Sequence, residues 1–476
     1  MSTVINTNVS SLIAQRSLSN ANTQLSSSLQ RLSTGLKINT GADDPAGLIA
    51  SQNLQAEQTG INQAIDNANR ANNVIGTAEG GLNEVSNLLN QVEGLVNQSA
   101  NTGGLSSAEI SANQLQVDSI LSTINRIAGS TSFDGTQLLN GNLSYTTSSV
   151  STSAFTTLQV NSATLPNNAT KAIVVQVTNS ATLGDLTYTA AAGTSAIGGS
   201  SITLQINGVN GTQQLTFAGS STLSEIATAI NGITAETGVT ASAASGQIDF
   251  KASDYGSTNY VSVSSVTAPF AVTGGHSGKA YGTDAVVNVN GAAAEVKGTN
   301  VNYRDGNLDI AFQLSADLNA GQTKTFGITG GGAQFSLGAK VNAQGLASIG
   351  IQDVSTGGLG NNSLGFLSSL ASGGVNSLTS NNLATAQKIV DESITQVSTL
   401  RGRLGAFQKY TLASTINNLG VASENAAAAE SAIRDTNFAQ ETANLTRAQI
   451  LQQSATTVLS QANSQPQNAL TLLKNA

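Results

Sequence analysis

The sequence contains no cysteine, no tryptophan and a single histidine in 476 residues. Without cysteine there can be no disulfide framework, thiol nucleophile or thiolate-bound zinc or iron–sulfur centre. With only His276, most other catalytic and metal-site chemistry is gone, including the two-histidine helix of zinc peptidases. Charged residues make up 10% of the chain, against roughly 25% in ordinary globular proteins. Surface polarity must therefore come mainly from Ser, Thr, Asn and Gln. Nineteen Lys and Arg against 27 Asp and Glu give a net charge of −8, and no basic stripe is present to displace counterions from nucleic acid. No run approaches the ~18 apolar residues of a membrane span, so no membrane insertion is expected. Met1 to Leu12 lack the basic and apolar regions of a cleaved secretory signal, so export is expected to remove nothing from this end.

What is present is heptad order. Ile61, Ala68, Ile75, Leu82, Leu89 and Val96 fall seven apart, and Ala64, Ala71, Ala78, Val85 and Val92 form a second series three residues on. Apolar residues at both positions over five heptads define a coiled-coil seam. Nearer the N-terminus Leu18, Leu25 and Leu32 share one series, and Leu29 and Leu36 are read as the other, interrupted at Gln15 and Asn22. Near the C-terminus Leu383, Val390, Val397 and Leu404 run with Ala386, Leu400 and Phe407, and Leu451 and Val458 with Ala448, Ala455 and Ala462 continue the pattern. Long isolated helices gain little in water unless their stripes are covered, so the two ends are expected to pack on each other. The region between becomes an insertion with its ends close together. Gly80 and Gly81 interrupt the best seam, predicting a kink or a close contact there.

The insertion reads as β-rich. Ile202, Leu204 and Ile206 alternate before turns at Asn207-Gly208 and Asn210-Gly211, with Leu215 and Phe217 after them. A capping box from Thr222 to Glu225 opens a short helix that carries Ile226, Ala229 and Ile230 inward and stops at Gly232. Val287 and Val289 precede a turn at Asn290-Gly291, and Leu308, Ile310, Phe312 and Leu314 alternate after Asp305-Gly306. The fold class is α+β, with long terminal helices packed as a coiled coil and helical bundle round a β-rich central insertion.

Candidate chemistry is thin. His276 lies in Gly274-Gly275-His276-Ser277-Gly278, a solvated loop sequence. Asp43-Asp44 before Pro45 reads as a helix-start cap. Gly330-Gly331-Gly332 lacks the lysine and following helix of a phosphate loop. No enzyme, cofactor or metal is expected. The outermost segments, Leu12 to Leu36 and Leu445 to Leu473, reach beyond any core of their own and should order on association, which points to a polymer subunit.

Those same segments resemble bacterial flagellin. The N-terminal match comprises Ile5 to Asn8, Leu29 to Lys37 (LQRLSTGLK) and Gly41 to Ser51 (GADDPAGLIAS). The C-terminal match comprises Thr399 to Gln408 (TLRGRLGAFQ), Ile433 to Ala439, Leu445 to Gln453 (LTRAQILQQ) and Gln461 to Leu473 (QANSQPQNALTLL). The resemblance implies a filament subunit exported unfolded and assembled at the growing tip, with the cap and hook–filament junction proteins and an export chaperone at the C-terminal helices as partners. It implies residues 1–42 and 435–476 as a filament-core coiled coil, 43–150 and 333–434 as a helical bundle, and 151–332 as a variable outer domain with a hook-type β module at about 170–270. Subunit-interface residues are then expected at Leu18, Leu25, Leu29, Leu32, Leu36, Leu445, Leu451, Ala455, Val458 and Leu459. Inner-bundle residues are expected at Ile61, Ile75, Leu82, Leu89, Val96, Leu383, Val390, Val397, Leu404 and Phe407. Flagellins sensed by the Toll-like receptor usually present an Arg, a Leu four residues later and a Glu on the next helix. Here the equivalent positions hold Gln91, Leu95 and Gln116, which predicts weak immune-receptor contact. Two other readings are a hook–filament junction protein, which normally diverges in the C-terminal string, and an enzyme or adhesin carried on the insertion. Ser/Thr enrichment in the insertion suits either glycosylation or a solvated strand face.

Overall fold

The computed structural model describes residues 7–101, 103–165, 169–190, 200–267, 270–316, 318–380 and 382–474. Its helices are α1 (Val9–Thr34), α2 (Pro45–Ser99), α3 (Ser107–Ser130), α4 (Leu223–Gly232), α5 (Thr234–Thr237), α6 (Leu383–Ala406), α7 (Ala413–Arg434) and α8 (Phe438–Lys474), with a π-helical turn, Phe407–Leu412, joining α6 to α7. The chain divides into two compact units, residues 1–69, 337–341 and 413–476 in one, and 70–336 and 342–412 in the other.

Pro45 opens α2 where its missing N–H costs nothing, and Asp44 Oδ1 caps the first turn by accepting from Gly47 N at 2.9 Å. Asp43 Oδ2 accepts from Thr40 N at 2.8 Å, Thr40 Oγ1 at 2.9 Å and Asn39 N at 3.1 Å. The Thr40 backbone bond is the main cause holding the Asp43 carboxyl below its ordinary pKa. Both acidic residues are thus committed to the helix entry. Along α2, every position of the two heptad series from Ile61 to Val96 is buried.

In the larger unit, α6 lies antiparallel to α2, since Asn72 O, Glu79 Oε1 and Glu93 Oε1 accept from Gln408, Arg401 and Gln387 at 3.3, 2.8 and 3.5 Å, equal steps up one helix and down the other. It buries Ala386, Val390, Val397, Leu400 and Leu404, with Leu383 and Phe407 half-buried at its ends. Ser393 fills the one polar gap in that stripe, and its buried Oγ is satisfied by donating to Ile389 O at 2.7 Å. The third helix of the bundle, α3, opens with a capping box at Ser106 and Glu109 and buries Val117, Leu121, Ile124 and Ala128. It is tied to α2 by Asn113 Nδ2 donating to Ser99 Oγ at 3.2 Å.

Residues 333–380, assigned to a helical domain from sequence, instead form short strand pairs, 3₁₀ turns and loops, and the next helix begins at Leu383. Glycine-rich stretches such as Gly357-Gly358 and Gly373-Gly374 explain the difference, because each adds the backbone entropy that a helix interior resists.

The chain enters and leaves the β region side by side, with Tyr145 paired to Gly331. Gly331, at φ +85°, sits where a Cβ would lie 2.1 Å from Ser144 O. The triple glycine is therefore a close strand approach. Two antiparallel sheets enclose the first core. One runs in the order Ala292–Ala293, Val286–Val289, Lys171–Asn179, Thr323–Gly331, Tyr145–Ser148, and the other Glu295–Lys297, Asn300–Asp305, Leu308–Leu314, Phe155–Ala163. Phe155 meets Phe312 and Phe326 edge-on at 5.4 and 5.7 Å. Asn290 and Gly291 both take positive φ, 51° and 85°, as a tight hairpin turn requires.

A second β unit is inserted within the first. Thr182 and Thr283 pair with each other at its neck, and between them the chain builds its own core from Ile202, Leu204, Ile206, Ile226, Ile230 and Phe250. The sequence reading placed this module at about 170–270, whereas the pairing residues that bound it are Thr182 and Thr283. Helix α4 carries the predicted capping box, and Ala227 is buried where Ala229 is only partly so. Asp284 closes the neck by accepting from Ser257 N at 3.0 Å, Ser257 Oγ at 2.5 Å and Gly298 N at 2.7 Å. The Ser257 hydroxyl, then the Gly298 N–H, hold its pKa below the ordinary carboxylate value. That clasp is complete above the unfolded-state pKa and weakens as pH falls through the depressed one.

The two glycines of the α2 seam differ. A Cβ on Gly80 would meet open space, while one on Gly81 would lie 2.8 Å from both Leu139 Cδ1 and Thr131 Oγ1. Gly80→Ala should stabilise by up to about 1 kcal/mol through helix propensity. Gly81→Ala should destabilise by about 1–3 kcal/mol through overpacking. Urea unfolding of the two variants followed by circular dichroism should give opposite signs, and equal effects would contradict the close contact.

Candidate functional site

In the smaller unit the two chain ends form an antiparallel pair. Asn8 caps α1 by accepting from Ser11 N and also reaches α8, its Nδ2 donating to Ala462 O at 2.8 Å. Ser11 Oγ donates to Asn463 Oδ1 at 2.7 Å, and Gln452 Nε2 to Asn22 Oδ1 at 2.8 Å. At the far end α1 stops at Gly35, with φ +74°, and two backbone bonds join Lys37 N to Arg434 O and Thr436 N to Gly35 O at 2.7 and 2.9 Å.

The buried residues of α1 are Ser11, Ala14, Ala21 and Ser28, with Leu18, Leu25 and Leu32 half-buried in the alternate heptad positions. On α8, Glu441, Ala448 and Ala462 are buried, and Leu445, Ala455 and Leu459 half-buried. Small side chains at every second core position let the two backbones approach, but each buries far less than the ~1.5–3 kcal/mol of apolar surface a leucine brings. The seam is close and thin.

This corrects the reading of Leu29 and Leu36 as the companion series. The companions of Leu18, Leu25 and Leu32 lie three residues on, at Ala21 and Ser28, and Leu29 is 50% exposed. Leu36 lies beyond α1, half-buried at its bridge to Asp435. Leu451 and Val458, read as a continuation of the C-terminal seam, are 46% and 56% exposed. Large side chains attracted the heptad assignment, while the small residues that make the contact have weak hydrophobic signatures.

The expected interface residues therefore fall into two groups. Leu18, Leu25, Leu32, Leu36, Leu445, Ala455 and Leu459 take part in or flank the intrachain pair, while Leu29, Leu451 and Val458 face outward. Sequence reasoning missed further outward-facing residues, Val9, Leu12, Ile13 and Ile450, which fall in none of the series read, and Phe438, seven residues before Leu445 at the start of α8. Among the described residues, these large aliphatic and aromatic side chains are left about half exposed in the single chain. Of the receptor-equivalent positions, Gln91 and Gln116 are exposed on α2 and α3, and Leu95 is half-buried on α2.

His276 is exposed in a turn, bonded through its backbone to Lys279. Among the described residues no three His, Asp or Glu converge on a metal position. No described helix is long and apolar enough to cross a membrane.

Antiparallel terminal helices with a thin seam and uncovered outer faces, carrying a β insertion, define a self-associating structural protein. The profile of the bacterial flagellin N-terminal helical region matches residues 5–144, that of the C-terminal helical region residues 387–473, and the flagellin hook IN motif residues 203–254. The chain is 32% identical over its whole length to the whole of the B-type flagellin of Pseudomonas aeruginosa, and 32% identical, again across the full length of both, to a flagellin of Salmonella rubislaw. The protein belongs to the bacterial flagellins, the structural subunits of the flagellar filament. Among solved structures, FliC from Burkholderia pseudomallei is 18% identical, covering 71% of this chain and 98% of that one with a TM-score of 0.24. The D2–D3 domains of the flagellar cap protein FliD from Serratia marcescens are 21% identical, covering 36% of this chain and 98% of that one at 0.26.

Ala448→Leu should push the terminal helices apart and cost about 1–3 kcal/mol. Ile450→Ser, two residues away on the exposed side, should change monomer stability by less than about 0.5 kcal/mol. Thermal unfolding at 222 nm separates them, and an equal response would place Ile450 in the seam.

Proposed function

We propose that the outward faces of α1 and α8 carry the subunit–subunit contacts of the filament. The observation that supports this most directly is the pair Leu451 and Val458, one heptad apart on the same flank of α8, exposed while the seam residues around them are covered. Each, already half exposed, would gain roughly 1 kcal/mol on full burial. Repeated over the outward-facing residues of both helices in every subunit, such gains accumulate along a polymer. Head-to-tail contacts that do not close into a ring extend it without limit.

In this reading residues 1–42 and 435–476 form the filament core, the helices within 43–150 and 383–434 the surrounding bundle, and 151–332 the outward domain. The chain is exported unfolded and assembles outside the cell at the distal tip. The cap and hook–filament junction proteins would meet the same terminal helices, and an export chaperone would cover those of the C-terminus before assembly. Absence of cysteine suits a chain threaded in an extended state.

Leu451→Asp tests the interface. Because Leu451 is outside the intrachain seam, the monomer should keep its circular dichroism spectrum and melting temperature while sedimentable filaments disappear under conditions that polymerise the parent chain. Normal filaments from this variant would remove α8's flank from the interface.

Receptor contact is proposed to be weak because Gln91 and Gln116 supply no charge where a cation and an anion would be needed. The double variant Gln91→Arg, Gln116→Glu should raise receptor activation by purified monomer at least about tenfold. Strong nanomolar activation by the unmodified chain would contradict the assignment.

A further inference from the structure

We propose that a cleft of about 560 Å³ in the larger unit binds a neutral mono- or disaccharide. One wall is the outer face of the sheet formed by Phe155–Ala163, Leu308–Leu314 and Asn300–Asp305, and the other is the segment 352–366 together with α6. The volume falls within the ~300–1,000 Å³ usual for small-molecule sites.

The sheet supplies a shaped wall. Ala311 pairs with Gln159 on one neighbouring strand and with Asn302 on the other, so the three side chains stand in one row on the same face. Ile310 and Phe312, on either side of Ala311 in its own strand, are buried in the core, which turns Ala311 to the cleft. A methyl group between two longer carboxamides makes a trough, apolar at its floor and polar at both rims. The next row brings Thr157 and Asn300 to the same cleft.

The opposite wall is held in place. Gln396 Oε1 accepts from Gly360 N and Gln396 Nε2 donates to Gly360 O, both at 3.0 Å, which ties the facing loop to α6. The same Nε2 donates to Glu392 Oε1 at 2.9 Å, leaving Oε2 without a partner among the described residues. Both oxygens of Asp353, the other carboxylate of the lining, already accept from Ser355, Oδ1 from its N at 2.8 Å and Oδ2 from its Oγ at 3.0 Å. The side chains of Gln159, Asn302 and Gln352 make no hydrogen bond among the described residues. All three line the cleft and are at least partly exposed, so their carboxamides are open to a ligand.

This set of groups selects the ligand. A carboxamide presents N–H donors beside a carbonyl acceptor, which matches adjacent hydroxyls that each donate and accept. Lys, Arg and His are absent from the lining while Glu392 and Asp353 are present, so an anion would be repelled. A cation would find one open carboxylate oxygen among otherwise neutral groups, too little to replace its water. Neutral hydroxyls lose little on leaving water when each finds a hydrogen-bond partner.

Isothermal titration of the full-length monomer with maltose, lactose and mannobiose tests this, with glucuronate and putrescine as charged comparison probes. Saturable binding of at least one disaccharide is expected, with both charged probes at least about tenfold weaker. Ala311→Leu, which fills the trough from the outer side of the sheet, should weaken that disaccharide at least about tenfold. Should this variant fail to fold, Asn302→Ala, at an exposed side chain, should weaken it about threefold or more. Gln214→Ala, at an exposed amide of the second β unit away from the cleft, should leave affinity unchanged. The proposal is overturned by no saturable binding of any of the three disaccharides, or by binding of either charged probe as tight as theirs. Unchanged affinity in the Asn302 variant or in a folded Ala311 variant, or altered affinity in the Gln214 variant, would also overturn it.

Discussion

The structure depends on the two ends of one chain lying antiparallel. Residues more than 400 apart in sequence share backbone and side-chain hydrogen bonds, as Asn8 does with Ala462. Closing so long a loop is less costly than its length suggests, because closure entropy grows only with the logarithm of loop size. Once the ends are paired, everything between them can be a self-contained insertion. The Tyr145–Gly331 pairing returns the chain to the helical part beside the place it left.

The same device is used a second time. Thr182 and Thr283 pair at a neck, and a module with its own core is built beyond it. At each level the host sees two adjacent chain ends, so the inserted part can grow, shrink or change sequence without altering the host's register. Asp284 makes the inner neck more than a pair of backbone bonds, since its carboxylate ties Ser257 inside the module to Gly298 outside it. Commitment of acidic residues to local backbone donors recurs at Asp43 and Asp118, whose partners are Thr40 and Ser372. In a chain with so few charges, these carboxylates serve chiefly as turn and junction acceptors.

How much of this was legible follows from side-chain size. The α2 seam could be read residue by residue because Ile, Leu, Val and Ala hold both heptad positions without a polar break, and the alternating strands at Ile202 and Leu308 were equally clear. On α8 the buried Ala448 and Ala462 were read in their seam, but α1 was misread because its contacts use Ala14, Ala21 and Ser28. Those residues occur everywhere on helices, and leucines nearby gave a stronger but misleading pattern. The exposed Leu12, Ile13 and Ile450 were missed for the complementary reason, since side chains outside the monomer's core do not follow its heptad periodicity.

The contrast between the two seams also accounts for where self-association can occur. Side chains buried at both heptad positions of α2 leave little apolar surface uncovered, and removing a large one would cost about 2–5 kcal/mol in the monomer itself. Such a surface is committed before any neighbour arrives. The α1–α8 pair spends its small residues on intrachain contact and keeps Leu12, Ile13, Leu451 and Val458 outside, so under the proposed interface folding and assembly would draw on different faces of the same helices. Scarce charge favours this division. Serine, threonine, asparagine and glutamine can be desolvated against a neighbour at a few kcal/mol or less when hydrogen-bonded, whereas each unpaired ion would cost considerably more. A surface of neutral polar groups crossed by uncovered aliphatic side chains is therefore one that close subunit packing can bury, while the thin seam beneath it holds the helices in register until that packing occurs.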